Sequence, residues 1–171
     1  VEFLLAPDGT FYFIEFNARI QVEHPVTEEI TGIDLVSQQI RIASGEPLGA
    51  VAFKPQGWAI EARVYAEDPY NGFAPSPGRI RRCHIPGGPG IRVDSHIFPS
   101  YTVPPYYDSL IAKIIAHGAD RDQAINRLVG ALNEFTAVGI QTTARLCASI
   151  IESGRFRRGE LTPDLIDHFL N

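Results

Sequence analysis

Polar and apolar residues alternate strictly along the segment from Ile14 to Glu23. In an extended strand this alternation places the two sets on opposite faces. The simplest interpretation is a half-buried strand whose polar face meets solvent. However, the polar set bears carboxylates, carboxamides and a guanidinium, which are groups that bind metals and oxyanions. The pattern alone leaves open whether this face is solvated or a binding site formed by Glu15, Asn17, Arg19, Gln21 and Glu23.

A shorter apolar segment, Glu2–Leu5, precedes this one, and Pro7-Asp8-Gly9 lies between them. Proline presets φ, aspartate bonds to nearby backbone and glycine accepts a positive φ, so these residues predict a turn. The turn makes a β-hairpin of the two flanking segments, Glu2–Leu5 and Phe11–Glu23. With Pro7 to Thr10 as the loop, antiparallel counting pairs Ala6 with Phe11, Leu4 with Phe13 and Glu2 with Glu15.

This register brings two carboxylates together. Like charges directly opposite each other destabilise a sheet, so the pair requires a proton, a basic neighbour or a metal ion. Asn17 is the next residue on the same face, and oxygen ligands of this kind suit Mg²⁺ or Mn²⁺ rather than zinc. Glu2, Glu15 and Asn17 are therefore candidate metal ligands, unless a different register separates them.

The far end of the predicted strand lies too far away to touch the same ion. If the strand is straight, Glu23 is about 26 Å from Glu15. We therefore expect a second part of the site, in which Arg19 and Gln21 hold a small oxyanion and Glu23 acts as a base. Pro25 ends the strand pattern because it lacks a ladder donor.

The rest of the pattern predicts an α+β fold, a mainly antiparallel sheet with flanking helices. One predicted strand, Ser109–His117, is mostly apolar and carries Lys113. The segment 45–57 contains two prolines and is the predicted crossover between two units. The other predicted strands are Trp58–Ala66, Arg79–Ile85 and Ile91–Ile97, and the predicted helices are 26–44 in two pieces broken at Gly32, Asp120 to about Thr136, 143–153 and 163–170.

Glu61 and Arg63 are neighbours on the polar face of the strand Trp58–Ala66. The pattern favours a surface ion pair worth under about 1 kcal/mol over a catalytic pair.

The amino-acid composition excludes several classes of protein. The chain has 171 residues, of which 44% are hydrophobic and 20% charged, as in soluble globular proteins. Its net charge of -5 gives no reason to expect nucleic acid, and no apolar run is long enough to cross a membrane. Cys83 and Cys147 lack metal-ligand spacing, which indicates a reducing, cytoplasmic compartment. Because the chain has no methionine and begins within an apparent strand, we expect it to be the end of a longer polypeptide.

Several motifs resemble those of one enzyme family. They are the segments Phe13–Glu28, Ala66–Pro69, Pro75–Gly78 and Tyr101–Ser109, and the family is biotin carboxylase. The resemblance implies an ATP-grasp enzyme that activates bicarbonate as carboxyphosphate and transfers the carboxyl group to N1 of biotin on a carrier protein. It implies that residues 1–48 end the ATP-grasp domain, that 49–171 form the biotin carboxylase C-terminal domain, and that this C-terminal part alone is inactive.

The resemblance also implies a role for individual residues. Glu2, Glu15 and Asn17 would bind two Mg²⁺ or Mn²⁺ ions, and Glu2, Leu4 and Glu15 would contact ATP. Arg19, Gln21 and the backbone of Val22 would bind bicarbonate, with Arg19 also catalytic. Glu23 would remove the bicarbonate proton. Arg63 would stabilise the enolate-like oxygen of deprotonated biotin, which replaces the surface ion pair as its expected role.

The implied partners are a biotin carboxyl carrier protein or domain, a carboxyltransferase and a second copy of the enzyme in a homodimer. The motif Tyr101–Ser109 is most similar to that of the biotin carboxylase component of acetyl-CoA carboxylase, in fatty acid biosynthesis, with pyruvate, propionyl-CoA and urea carboxylases as alternatives. Another ATP-grasp ligase, of the carboxylate-amine type, would share Glu15 and Asn17. A non-catalytic scaffold or dimerisation module is the third hypothesis.

Overall fold

The structure, a computed structural model, describes residues 1–49 and 53–170. The predicted α+β class with mainly antiparallel pairing is confirmed. The helices are α1 His24–Thr31, α2 Leu35–Ala43, α3 Arg121–Glu134, α4 Ala144–Glu152, α5 Gly154–Arg158 and α6 Asp167–Leu170, with a 3-10 helix at Pro163–Leu165. The strands are β1 Glu2–Leu5, β2 Phe11–Glu15, β3 Trp58–Tyr65, β4 Glu67–Asp68, β5 Ala74–Pro75, β6 Gly78–Arg79, β7 Arg82–His84, β8 Ile91–Ser95, β9 Thr102–Val103, β10 Leu110–Gly118 and β11 Thr136–Val138.

A three-stranded antiparallel sheet in the order β3-β10-β8 forms the centre of the fold. Residues directly opposite in such a sheet share a face. One face is apolar and packs against α3 and α4, with Val64, Ile114, Ile125 and Leu128 fully buried in the core. Burying an aliphatic side chain of this size contributes about 1.5–3 kcal/mol, so this face stabilises the sheet.

The other face of the same sheet is charged. Arg63 is opposite Lys113, and Lys113 is in turn opposite Asp94. Glu61 shares this face because it lies two residues before Arg63 on β3. Helix α1 packs against β3 and β10. The sheet therefore presents charged side chains toward α1 and the segment that leads into it.

The β1–β2 hairpin forms as predicted, but its register is different near the turn. The observed pairs are Leu5 with Phe11, Leu4 with Tyr12, Phe3 with Phe13 and Glu2 with Glu15. The predicted pairing of Leu4 with Phe13 is wrong because the loop begins at Ala6, whose amide donates to the Thr10 carbonyl. A β-bulge then restores the pairing of Glu2 with Glu15, since the extra residue Ile14 has no partner.

The predicted helices are confirmed with shifted ends, except that the predicted helix 163–170 is a 3-10 helix followed by the short α6. Asp34 caps α2 through a bond from the Ser37 amide, and Asp120 caps α3 in the same way through Gln123. Gly32 ends α1 in the left-handed conformation, with φ of 71°. Helix α5 was not predicted, and Arg79–Ile85 is split between β6 and β7. The predicted crossover at 45–57 lies partly outside the described residues. Within 1–49 and 53–170, no helix has both the length and the hydrophobicity to cross a membrane.

Candidate functional site

Two carboxylates meet at the open end of the hairpin, where the bulge pairs Glu2 with Glu15. The Asn17 amide nitrogen donates to Oε1 of Glu2 at 2.8 Å and to Oε1 of Glu15 at 3.1 Å. The Gln21 amide nitrogen donates to the same oxygen of Glu2 at 3.0 Å. Carboxamide donors therefore occupy the space between the two like charges.

The position of Gln21 corrects the expected separation of the site into two distant parts. Strand β2 ends at Glu15, and the chain turns through residues 16–23 before α1 begins at His24. The prediction of a strand continuing to Glu23 is therefore wrong. The alternating residues instead belong to a turning segment in which the Gln21 side chain returns to Glu2. Gln21, a candidate anion-binding residue, therefore lies beside a candidate metal ligand.

The chemistry of the carboxylate pair fits a hard divalent cation. Mg²⁺ in nucleotide sites is usually held by one or two carboxylates together with substrate phosphates. Rotation of the Asn17 side-chain amide would present its oxygen in place of the nitrogen that now bonds both carboxylates. No group of three or more His, Cys, Asp or Glu that could hold a metal forms within 1–49 and 53–170. The donors that fit such a cation are therefore the two carboxylates of Glu2 and Glu15 together with the Asn17 oxygen.

Glu15→Gln should weaken Mn²⁺ binding to the chain by at least roughly 10-fold, because it removes one of two anionic ligands while keeping the side-chain shape. Titration of Mn²⁺ followed by electron paramagnetic resonance measures the affinity. Glu152→Gln, an exposed change on α4, is the matched control and should leave the affinity unaltered. Equal affinity of the Glu15→Gln variant and the wild type would contradict the metal assignment.

The candidate anion residues lie where the turning segment enters α1. Arg19 is exposed, and its guanidinium donates to the carbonyl of Ile20 at 3.2 Å. Glu23 is also exposed, and its carboxylate has neither a hydrogen bond nor an ion pair with the residues that the structure describes. The Val22 carbonyl accepts a bond from Nζ of Lys113 at 3.1 Å. Leu4, the predicted adenine contact, is 59% exposed on β1.

Arg63 and Glu61 do not form the surface ion pair that the pattern favoured. The Arg63 guanidinium is exposed and makes no ion pair or hydrogen bond within the described part of the chain. Both carboxylate oxygens of Glu61 are buried and lack a hydrogen-bond partner there. A guanidinium without a partner is available to an anionic ligand, whereas Glu61 is shielded from one.

Burial raises the pKa of Glu61 from 4.5 to about 7, because the charged form loses its hydration. Glu23 and Asp94 raise this pKa further through their negative charges, and Lys113 and Arg63 oppose the shift. Glu61 is therefore a carboxyl group that titrates near neutral pH within the same charged cluster.

Glu61 should make stability depend on pH. Between about pH 4.5 and 7 the folded chain holds the Glu61 proton and the unfolded chain does not, so the free energy of unfolding falls as pH rises. Between pH 5 and 8 we expect the wild type to lose roughly 2 kcal/mol relative to Glu61→Gln. Urea unfolding of both chains at several pH values measures this difference. Parallel curves for the two chains would contradict the buried ionisable carboxyl.

Lys113 is the site residue that sequence reasoning did not select. In the sequence, Lys113 stands out only as a charge within an apolar strand. A lone lysine in an otherwise apolar strand was the sequence signal that could have identified it, since a buried lysine requires a partner. The partners, Asp94 and the Val22 carbonyl, lie on other elements, and Val22 is 91 positions away in the chain.

Comparison with known proteins gives two family matches. The model described as the biotin carboxylase C-terminal domain matches residues 61–168. The model described as the carbamoyl-phosphate synthase L chain, ATP binding domain, matches residues 1–51.

Individual relatives match nearly the whole chain. A pyruvate carboxylase subunit of Methanothermobacter thermautotrophicus is 50% identical over 171 residues, covering 99% of this chain and 35% of the relative. Biotin carboxylase of Nostoc sp. is 50% identical over 168 residues, covering 97% and 38%. This chain therefore spans a little over a third of the length of these curated relatives.

A solved structure agrees with the fold. It is the biotin carboxylase domain dimer of Hydrogenobacter thermophilus 2-oxoglutarate carboxylase, in complex with MgADP, ADP and bicarbonate. It matches with a TM-score of 0.94 at 46% identity, covering 97% of this chain and 37% of that one.

Proposed function

The chain belongs to the biotin carboxylase family, and we propose that it supplies part of the active site for ATP-dependent carboxylation of biotin by bicarbonate. The resemblance found in the sequence motifs is thereby confirmed. The observation that carries the proposal is the convergence of paired carboxylates, an unpartnered base and an unpartnered guanidinium around the segment 15–23 and β3.

The first half of the reaction joins bicarbonate to the γ-phosphate of ATP. Arg19, Gln21 and the Val22 backbone bind bicarbonate, and Glu23 accepts its proton, so that the freed oxygen attacks phosphorus and ADP leaves. Glu23 has no competing partner within the described residues, which supports this role. Glu2, Glu15 and Asn17 would hold Mg²⁺ or Mn²⁺, which would supply neutralisation of the phosphate charge. Leu4 contacts the adenine from β1.

The second half transfers the carboxyl group from carboxyphosphate to N1 of biotin. The bond between the carboxyl carbon and the phosphate oxygen breaks, and the released phosphate takes the N1 proton. Loss of this proton gives the ureido oxygen enolate character and negative charge, and N1 then bonds to the carboxyl carbon. Arg63 stabilises that charge with its guanidinium, in the manner of an oxyanion hole. The exposed and unpaired state of the Arg63 guanidinium supports this role.

We propose that the exposed hairpin is covered by another part of the complete enzyme. Apolar side chains on both faces of β1 and β2 are at least half exposed, and a two-stranded hairpin alone is marginally stable.

The families matched at 1–51 and 61–168 support the proposed division of the chain near residue 48. In the proposed assembly the enzyme is a homodimer, in line with the dimer of the Hydrogenobacter neighbour. It acts together with the carrier of biotin and a carboxyltransferase.

The acyl acceptor of the assembly is proposed to be acetyl-CoA or pyruvate. The sequence motif Tyr101–Ser109 supports the former, and the similarity to the Methanothermobacter pyruvate carboxylase supports the latter. The free thiols of Cys83 and Cys147 support a cytoplasmic location.

The test is an activity assay on a chimera in which this chain is joined to the part of the Nostoc enzyme that it does not match. We expect ATP cleavage that requires both bicarbonate and free biotin. Cleavage that needs neither would indicate another ATP-grasp ligase. A folded chimera without any cleavage would indicate the scaffold role.

A further inference from the structure

Lys113 is a largely buried cation on the charged face of the central sheet. Its side chain is 14% exposed, and it lies opposite both Arg63 and Asp94 in the strand register. The flanking residues of β10 are apolar, and Ile114 and Ile115 are fully buried. A lysine in such a setting is retained only where its charge has partners.

The partners of Lys113 come from two separate parts of the chain. Nζ donates to the Val22 carbonyl at 3.1 Å and lies 3.3 Å from Oδ2 of Asp94. The first contact joins β10 to the turning segment that carries Gln21 and Glu23. The second contact fixes the ammonium group on the sheet, so the segment is tied to a defined point.

Asp94 is itself held in place. Arg92 donates to both of its carboxylate oxygens, at 2.9 and 3.0 Å. Arg92 also donates to Glu28 at 2.7 Å, and Glu28, which is 9% exposed, accepts the amide of Leu35 at 2.8 Å. These contacts form a continuous path from the sheet to α1 and to the start of α2.

Two polar anchors therefore flank Glu23. On one side the Val22 carbonyl is bound by Lys113, and on the other Glu28 is bound by Arg92. Arg63 is the register partner of Lys113, so the residue that binds the turning segment lies directly opposite Arg63 in the sheet.

We propose that Lys113 is a positioning residue that holds the bicarbonate-binding segment 19–23 in register with Arg63. This inference rests on the proposed function for the identity of the substrate. The positioning itself is a property of the chain and can be tested without that function.

The experiment compares Lys113→Met with Lys54→Met, its matched control. These are the only two lysines in the sequence, and Lys54 is exposed. In the chimera, Lys113→Met should raise KM for bicarbonate roughly 10- to 100-fold, because a charge-assisted bond to the segment is lost. KM for ATP should change less than about threefold, and Lys113→Arg should recover most of the loss, since it restores a cationic donor.

Hydrogen exchange on the 171-residue chain supplies the independent measurement. The amides of His24 and Val26 bond to the carbonyls of Gln21 and Glu23. Both amides should exchange at least roughly 10-fold faster in Lys113→Met and at the wild-type rate in Lys54→Met. If Lys113→Met does not fold, Asp94→Asn weakens the same anchor and is read by the same measurements.

Unchanged exchange together with an unchanged KM for bicarbonate would overturn the inference. So would an equal rise in KM for all substrates, or full rescue of Lys113→Met by Glu61→Gln, since the lysine would then serve only to balance the charge of Glu61. A wild-type chimera without bicarbonate-dependent activity would refute the proposed function, while hydrogen exchange would still decide whether Lys113 positions the segment.

Discussion

Arg63→Ala should reduce biotin carboxylation by the chimera about 10²- to 10³-fold, which is the usual cost of removing one oxyanion-stabilising donor. The loss should appear in kcat with biotin as substrate, because the charge on the ureido oxygen develops only during transfer. Mn²⁺ binding should not change, since the proposed metal ligands lie on the hairpin and the following turn. Steady-state assays with varied biotin measure the effect.

Arg82→Ala is the matched control for this prediction. Arg82 is exposed on β7, outside the charged cluster, and its loss should leave the rate within about twofold. Arg63→Lys should restore activity only in part, because an ammonium group lacks the planar donor geometry of guanidinium. Full activity of Arg63→Ala would remove this residue from the proposed mechanism.

Glu23→Gln should lower bicarbonate-dependent ATP cleavage about 10²- to 10⁴-fold, the range expected for loss of a general base. The amide keeps the shape of the side chain and removes its capacity to accept the bicarbonate proton. Because Glu23 is exposed and its carboxylate has no partner among the described residues, the variant should fold as the wild type does. Phosphate release with varied bicarbonate measures the rate, and urea unfolding checks the fold.

The same Glu152→Gln variant that controls the metal experiment serves here. It removes a carboxylate of equal size from an exposed position on α4. If Glu23→Gln retained wild-type cleavage, the base would have to be sought elsewhere in the enzyme. If Glu23→Gln also lost Mn²⁺ affinity, Glu23 would instead act together with Glu15 in binding the metal.

The hairpin shows how a correct pairing can be predicted from a loop of the wrong length. The turn residues predicted the hairpin and the pairing of Glu2 with Glu15. The assumed loop was one residue too short on its first side, and the bulge at Ile14 compensated for this error. Bulges depend on how a strand packs against its surroundings, so alternation of residue types does not reveal them.

Local sequence signals were sufficient to predict the structural features whose physical cause is local. Asp34 and Asp120 bond to amides three residues away, and Gly32 adopts the positive φ that ends α1, so each could be recognised in the sequence. The alternation in Trp58–Ala66 likewise predicted β3 and its buried face. These features involve residues that are near one another in the chain.

The sequence by itself determined the types of the longer helices and strands, the family motifs and the identity of the candidate chemical groups. Tertiary structure decided how those groups meet: Gln21 turns back to Glu2, the carboxylate oxygens of Glu61 are buried, and Lys113 reaches Val22 from the central strand. Each of these contacts joins residues that are far apart in the chain or depends on burial by another element. Local propensity carries no information about such contacts, because their free energy exists only after the chain has packed.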